Sequence, residues 1–397
     1  MDHRALSGSR RTGGAAGDLP RRAFFSPWHA PRFGPGGDDL ATDDRKRGDD
    51  VDRWSWHMRR GEMEAAWKIS DEELRSHAGV PCWHLPRHCQ WVWDGAPLAG
   101  KRVLVRCYHG LGDTLQFVRY APLLREVAAE VVFWAQPKLI PLLRTARGID
   151  RLLPLHDGTP EVEYDADVEI MELAHVFRTT LQTLPAEVPY LHADPAPLPR
   201  GRGLAVGLVW RAGDWDDRRT VPLPLLALLA AVPGIELHVL QRGPALDELP
   251  EGFGLVSGSD DPLEAARVMR ALDLVVTVDS MPAHLAGALG VPVWTLLHSE
   301  ADWRWMEGRD DSPWYPTMRL FRQERPGEWA PVVARVSAEL ARMAGEREGE
   351  EGEVRGARCE LRCGAHGSPP SSDGGAPRAS SPSSRSAAAR STSRALS

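Results

Sequence analysis

The residues best suited to chemistry lie in loops that follow apolar strand patterns. The first such loop is Tyr108-His-Gly-Leu-Gly-Asp-Thr114, after the apolar run 103–105. Its two glycines would allow a sharp turn into a helix, and a loop at the carboxyl end of a parallel strand faces the cleft where ligands bind. Asp113 is therefore a candidate general base. It equally fits an ordinary helix N-cap, a position that Thr114 could also take.

A second loop of the same kind lies between 275 and 290. An apolar strand pattern ends at Asp279, Ser280 can cap the next helix, and Pro282 suits its first turn. The free N–H groups and positive dipole end of such a helix favour a phosphate group. His284 lies on that first turn, where it could donate to a ligand or simply satisfy a buried backbone group.

An arginine-rich loop follows the strand pattern 204–210 and should also border the cleft. Arg211, Arg218 and Arg219 offer guanidinium groups for phosphate or carboxylate. The three aspartates of the same loop could instead pair with them in a solvent-facing cluster.

An aromatic segment spans 298–316. Its three tryptophans and Tyr315 could stack on a base or sugar, with Arg304 and Asp302 orienting it. Packing between domains explains the aromatic residues equally well.

The elements that must position these loops alternate between strand and helix. Strands are predicted over 103–105, 131–134, 150–154, 167–171, 204–210, 236–240, 274–278 and 293–297. Helices are predicted over 114–129, 138–145, 174–183, 223–231, 263–269, 282–289 and 332–343. A linker at 195–203 divides the pattern. This organisation predicts the α/β class, with two Rossmann-like, doubly wound domains of mostly parallel strands that face each other across a cleft.

The predicted domain boundaries follow the changes in composition. They are a disordered N-terminal tail at 1–52, a helical and aromatic segment at 53–97, Rossmann-like domains at 98–198 and 203–346, and a disordered low-complexity tail at 347–397. The segment includes a helical pattern over 58–78, in which Ser70-Asp-Glu-Glu73 resembles a capping box. It also includes Cys82, His84, His88 and Cys89, whose spacing matches no standard zinc finger, so no metal site is predicted.

Composition excludes several classes of protein. The net charge of −7 disfavours a dedicated nucleic-acid binder, and no apolar run approaches the length of a membrane span. The first residues lack the apolar region of a signal peptide. Five cysteines, an odd number, suit a reducing compartment. Together these features predict a cytoplasmic protein without a transmembrane segment.

The sequence contains four distinctive motifs, which are Tyr108-His-Gly-Leu-Gly-Asp-Thr-Leu-Gln-Phe-Val-Arg-Tyr120, Gly207-Leu-Val-Trp210, Val278-Asp-Ser-Met-Pro-Ala-His-Leu-Ala-Gly-Ala-Leu-Gly290 and Asp302-Trp-Arg-Trp…Ser312-Pro-Trp-Tyr-Pro316. In this order and spacing they resemble glycosyltransferase family nine, the heptosyltransferase-like family of bacteria. Within it the resemblance is to the branch often fused behind tetratricopeptide repeats. The resemblance extends from about residue 83 to about residue 343.

The resemblance implies a GT-B fold and a transfer reaction that inverts the anomeric carbon without a metal or a cofactor. It places the acceptor mainly on 98–198 and a nucleotide-diphosphate sugar, by default ADP-heptose-like, on 203–346. The implied acceptor is a hydroxyl of a cell-envelope glycan, a lipopolysaccharide core, a lipid-linked glycan or a protein, which is compatible with a peripheral position at the inner membrane.

The resemblance also assigns roles to residues. Asp113 becomes the base, and Asp279, Ser280 and His284 become the diphosphate site. The family usually places a lysine after the first strand of the second domain, where Arg218 or Arg219 stands here. The remaining predicted donor-side and cleft residues are Trp210, His109, Gly110, Gly112, Thr114, Gln116, Asp302 and Trp303.

Two other functional classes stay open. A non-catalytic nucleotide-sugar-binding or scaffold protein would keep the same fold, and an Asp113→Ala variant would then have no transfer to lose. An epimerase or hydrolase would need further carboxylates in the cleft, for which no convincing set is present. Rossmann-type dinucleotide binding is disfavoured, because the segment Gly110-Leu-Gly112 lacks the third glycine of that fingerprint.

Overall fold

The computed structural model describes residues 52–199, 201–213 and 216–363. The predictions for 1–51 and 364–397 therefore lie outside the described residues. By its contacts the chain divides at Glu348, and the described residues up to that point form one compact unit. Within the described part of the chain, no helix is both long and apolar enough to cross a membrane.

The N-terminal segment is a helical pair. Residues 52–59 form helix α1, and α2 spans Met63–Ser76. Gly61 adopts a φ of +74° between them, a backbone conformation that favours glycine. The predicted capping box is wrong, because Ser70 lies inside α2 and its hydroxyl donates to the carbonyl of Ala66 (3.3 Å).

The first sheet has four parallel strands in the order β3-β2-β1-β4. Its strands are β1 (Arg102–Arg106), β2 (Glu130–Ala135), β3 (Arg151–Pro154) and β4 (Ala166–Glu169). Its helices are α3 (Leu111–Phe117), α4 (Ala121–Val127), α5 (Ile140–Leu143) and α6 (Leu173–Val176).

Two predicted helices of this half differ from the structure. The helix predicted over 114–129 is divided by a 3₁₀ turn at Val118–Tyr120. The helix predicted over 174–183 is limited to the single turn of α6, because Arg178 takes a φ of +48°, which a right-handed helix does not contain.

The second sheet has six parallel strands in the order β10-β9-β8-β5-β6-β7. They are β5 (Leu204–Leu208), β6 (Ile235–Val239), β7 (Leu255–Val256), β8 (Leu274–Val278), β9 (Val293–Leu297) and β10 (Met318–Arg322). Its helices are α7 (Leu223–Ala230), α8 (Pro262–Arg270), α9 (Met281–Ala288) and α10 (Trp329–Cys363). The predicted α/β class with parallel sheets is confirmed. Helix α10 extends past the boundary at 347 that the composition predicted.

Helices α3 and α9 bring the two halves together. A side chain at Gly112 in α3 would place its Cβ 2.9 Å from Cδ2 of His284 in α9, so only glycine allows this approach. Buried Arg119 also joins the halves, because its guanidinium donates to the carbonyl of Trp314 (2.5 Å). The first turns of α3 and α9 therefore lie against each other.

Candidate functional site

Asp113 is both part of a helix cap and part of an ion pair between the halves. Gly110, rather than Asp113 or Thr114, is the N-cap of α3, and its N–H donates to Oδ2 of Asp113 (2.9 Å). Oδ1 of Asp113 accepts from the guanidinium of Arg304 (2.5 Å). A carboxylate offers about four acceptor positions, so these two bonds leave room for a substrate hydroxyl. The side chain of Asp113 is 25% exposed, which leaves it accessible.

Thr114 does not take part in this cap. It is buried inside α3, and its hydroxyl donates to Oε1 of Gln136 (3.0 Å). Gln136 in turn donates to the carbonyl of His109 (2.8 Å). Thr114 and Gln136 therefore stabilise the backbone of the loop rather than facing a ligand.

Arg304 lies between carboxylates from both halves of the protein. Its backbone N–H and its guanidinium both bond to Asp302 (3.0 and 2.9 Å), while a second guanidinium nitrogen reaches Asp113. The guanidinium also stacks on the ring of Trp303, 4.8 Å from its centroid. Burial disfavours the charged guanidinium and so lowers the pKa of Arg304. The attraction of Asp302 and Asp113 is stronger, and it raises that pKa above its usual value.

Asp279 directly follows β8 and is buried with a cation. Its carboxylate lies 3.1 Å from the guanidinium of Arg219, which also donates to the Asp279 carbonyl (2.9 Å). Burial raises the pKa of Asp279, and Arg219 opposes that change. Ser280 occupies the N-cap position of α9, but its hydroxyl donates to the carbonyl of Val278 (3.1 Å). The predicted side-chain cap by Ser280 is therefore wrong.

The structure separates the two candidate arginines. Arg219 has 11% of its side chain exposed and contacts Asp279 at the start of α9. Arg218 has 60% exposed and pairs with Asp216 (2.9 Å) and Glu300 (2.7 Å). The solvated-pair interpretation therefore describes Arg218, whereas Arg219, which also lies 3.6 Å from Asp216, is the buried cation at the second loop.

His284 is buried in the first turn of α9. Its Nδ1 is hydrogen-bonded to the hydroxyl of Tyr315 (2.9 Å), and its ring stacks on that of Trp305 at 5.3 Å and 22°. Burial, with a contribution from Arg304, lowers the pKa of His284 well below its usual value, so the imidazole is neutral. Its partner is a phenol rather than the backbone group that the sequence suggested.

The predicted aromatic stacking surface is wrong. Trp303 (4% exposed), Trp305, Trp314 and Tyr315 (each 0%) are buried, so no ring offers a free face to a base. Trp303 packs edge-on against Trp54 of α1 at 5.2 Å and 81°. The alternative, packing between segments, is the correct interpretation.

Trp210 is likewise a core residue. It is 2% exposed, belongs to the hydrophobic cluster of the second sheet and packs edge-on against Phe253 at 6.5 Å. Its predicted contact with a donor would require the indole to leave this core.

His109 lies beside a carboxylate that the sequence did not single out. Its Nε2 is 3.7 Å from Oε2 of Glu169, and both side chains are almost fully buried. Burial lowers the pKa of His109 to about 4 and raises that of Glu169 well above its usual value. Glu169 ends β4 beside β1, so the rule that ligands bind at the carboxyl ends of strands could have identified it.

Gln116, predicted to line the cleft, is 0% exposed. Among the described residues neither atom of its side-chain amide has a hydrogen-bond partner. A buried unpaired polar group costs about 1–3 kcal/mol, so we expect Gln116→Met to raise the free energy of unfolding by about 1 kcal/mol. Urea denaturation would measure this change.

The neighbouring amide supplies the control for that measurement. Gln136→Met removes an acceptor for Thr114 and a donor for His109, so it should lower the free energy of unfolding. Equal destabilisation by both variants would contradict the assignment of an unpaired amide to Gln116.

The candidate site thus lies where the first turns of α3 and α9 meet, between two parallel sheets of an α/β protein. Residues 258–328, which include Asp279, Ser280, His284 and Arg304, match the model of glycosyltransferase family 9 (heptosyltransferase). The resemblance predicted from the sequence is thereby confirmed for this part of the chain.

The chain is also similar to individual proteins. It is 28% identical to protein FlbA of Caulobacter vibrioides over 302 residues, an alignment that takes in 64% of this chain and 48% of FlbA. The chain thus spans about half the length of that curated relative.

Two solved structures are also similar to the chain. One is the ADP-heptose lipopolysaccharide heptosyltransferase II of E. coli, with 15% identity, 62% and 99% of the two chains covered and a TM-score of 0.47. The other is the glycosyl transferase family 9 of Veillonella parvula, with 14% identity, 57% and 87% covered and a TM-score of 0.44.

Proposed function

We propose that the protein is a glycosyltransferase that moves a sugar from a nucleotide-diphosphate sugar to a hydroxyl acceptor. The observation that carries the proposal is the position of Asp113, at a helix N-terminus that abuts the start of α9, where the family match lies. An inverting displacement needs at least one carboxylate that acts as the base and one nearby site that binds the departing anion.

In the proposed reaction, Asp113 takes the proton of the acceptor hydroxyl as the oxygen attacks the anomeric carbon. The bond from that carbon to the diphosphate oxygen breaks on the opposite face, and its electron pair leaves with the diphosphate. Attack from the opposite face inverts the anomeric carbon. The N–H groups at the start of α9 and the guanidinium of Arg219 would stabilise the departing charge in place of a metal.

The two proposed substrates bind to different halves of the protein. We assign the acceptor to 98–198 and the nucleotide sugar to 203–346, with an ADP-heptose-like donor as the default of the family resemblance. The acceptor class is a cell-envelope glycan, a lipopolysaccharide core or a protein hydroxyl, modified on the cytoplasmic side of the inner membrane.

A screen of nucleotide sugars tests this proposal. Purified full-length protein would be heated with ADP-, GDP-, UDP- and dTDP-sugars, first with a chelator and then with magnesium. We expect one nucleotide family to raise Tm equally in both conditions, and that donor to yield free nucleotide diphosphate when an acceptor glycan is added. A folded protein that no donor stabilises would contradict the proposal, and a shift that requires magnesium would contradict the metal-free mechanism.

Arg219 and Arg218 give a sharper test of the donor site. Arg219→Gln removes a buried cation at the start of α9, so the Kd of the donor should rise at least about tenfold, given about 1.5–3 kcal/mol for a hydrogen bond to a charged group. Arg218→Gln removes a cation whose side chain is mostly exposed and screened by solvent, so its effect should be smaller. Isothermal titration of both variants would compare them, and equal losses would contradict this placement of the donor.

The second candidate is a nucleotide-sugar-binding protein without transfer. It is favoured by the fact that both oxygens of Asp113 already have partners, one in the helix cap and one in Arg304. Such a protein would bind the donor in the titration above and release no nucleotide diphosphate with any acceptor.

A further inference from the structure

Arg304 is the cation that touches the predicted base. Its guanidinium is 10% exposed and bridges Asp113 of the first half and Asp302 of the second. Its Nε has no hydrogen-bond partner among the residues that the structure describes. The guanidinium therefore makes its bonds with its two terminal nitrogens, each on a different carboxylate.

The surroundings of Arg304 indicate a role beyond linking two segments of the chain. It belongs to the 3₁₀ turn Trp303–Trp305, whose N-cap is Asp302, so the backbone fixes it independently of Asp113. Trp303 covers one face of the guanidinium, and Phe117 of α3 lies 5.9 Å away. Its charge also acts on Asp279 and His284, the residues at the start of α9. The cation thus lies within electrostatic reach of both loops.

We propose that Arg304 is a positioning residue that holds Oδ1 of Asp113 and balances charge during sugar transfer. This inference rests on the proposed function. With Oδ2 held by the Gly110 N–H and Oδ1 by Arg304, the carboxylate plane is fixed while each oxygen keeps an open acceptor position.

The charge balance explains why a cation is needed there. When the acceptor proton moves to Asp113, that carboxyl becomes neutral and Arg304 loses one of its two counter-charges. In the same step the diphosphate gains one negative charge as its bond to the sugar breaks. The charge of Arg304, which Asp113 then no longer neutralises, would therefore stabilise the negative charge that develops on the leaving group, without movement of the protein.

The test compares Arg304→Ala and Arg304→Lys in the full chain. Loss of a preorganised charged donor typically lowers kcat by about 10²- to 10³-fold, and we expect this for Arg304→Ala with less than about a threefold change in the KM of the donor. Arg304→Lys keeps the charge but cannot bridge both carboxylates, so its kcat should be intermediate. Added guanidinium ion should restore at least about tenfold of the lost rate to Arg304→Ala.

Arg309 supplies the matched control. It forms a similar bidentate pair with Asp311 in the same segment, away from Asp113, and Arg309→Ala should keep its kcat and not respond to guanidinium. A purely structural Arg304 would give a lowered Tm without rescue, and that result would overturn the inference. If Arg304→Ala does not fold, a kcat of Arg304→Lys equal to that of the unmodified protein would overturn it. No transfer by the unmodified protein would overturn the proposed function itself, whereas transfer unaffected at Arg304 would overturn this inference alone.

Discussion

Replacement of Asp113 by Asn is expected to lower kcat for sugar transfer by about 10²- to 10⁴-fold, the contribution typical of a general base. Asparagine has the size of aspartate, and its carbonyl can still accept from the Gly110 N–H, so the cap of α3 survives. The amide cannot take a proton from an acceptor hydroxyl, and it cannot pair with the charge of Arg304. Steady-state assays of nucleotide diphosphate release would measure the loss.

Donor binding separates this effect from misfolding. Asp113 has no assigned contact with the donor, so Asp113→Asn should keep the donor Kd within about threefold, which is less than 1 kcal/mol. Asp311→Asn, which removes an exposed carboxylate from another arginine pair, is the matched control and should keep full kcat. An unchanged kcat in Asp113→Asn would contradict the assignment of the base. Donor binding without transfer in the unmodified protein would favour the non-catalytic alternative.

The central strands could be predicted because of how parallel sheets are buried. β5, β8 and β9 are buried at every residue, so each appears in the sequence as a nearly continuous apolar run. The edge strands could not be found in the same way. β7 has only two residues, both exposed, and two of the five residues of β10 are arginines.

The loops of the candidate site could be predicted, whereas their partners could not. Asp113 and Asp279 follow strands, so the local sequence is enough to place them at the carboxyl end of a parallel sheet. Their cations are remote, since Arg304 is 191 residues from Asp113 and Arg219 is 60 residues from Asp279. The first pair depends on how the two halves pack, and the second on the pairing of β5 with β8, neither of which local spacing encodes.

The aromatic residues show a different limit. The family resemblance assigns Trp210 to the donor side, and the stacking capacity of indoles predicts a ligand contact for Trp303, yet a Trp suits a core position equally. What decides between the two is the presence of a packing partner. For Trp303 that partner is Trp54, about 250 residues earlier in α1, outside every motif that carried the resemblance.

Replacement of Gly287 by Ala is expected to destabilise the protein, although the same change usually stabilises a helix. In an ordinary helix interior, Ala is favoured over Gly by about 1 kcal/mol. At this position in α9, the added Cβ would lie 2.4–2.7 Å from ring atoms of Tyr315. That ring is fully buried and its hydroxyl is hydrogen-bonded to His284, so it has no free space into which to move.

The expected net change is a decrease of up to about 2 kcal/mol in the free energy of unfolding, since overpacking a core costs about 1–3 kcal/mol and the helix preference for Ala offsets about 1 kcal/mol of that cost. Displacement of Tyr315 should also disturb His284, so donor affinity should fall with stability. Gly345→Ala in α10 is the control, because a Cβ there meets nothing within 4 Å and should stabilise the helix. Urea denaturation of both variants would decide the matter. If Gly287→Ala stabilised the protein as Gly345→Ala should, then α9 and the Tyr315 ring would not be packed tightly enough to hold His284 in place.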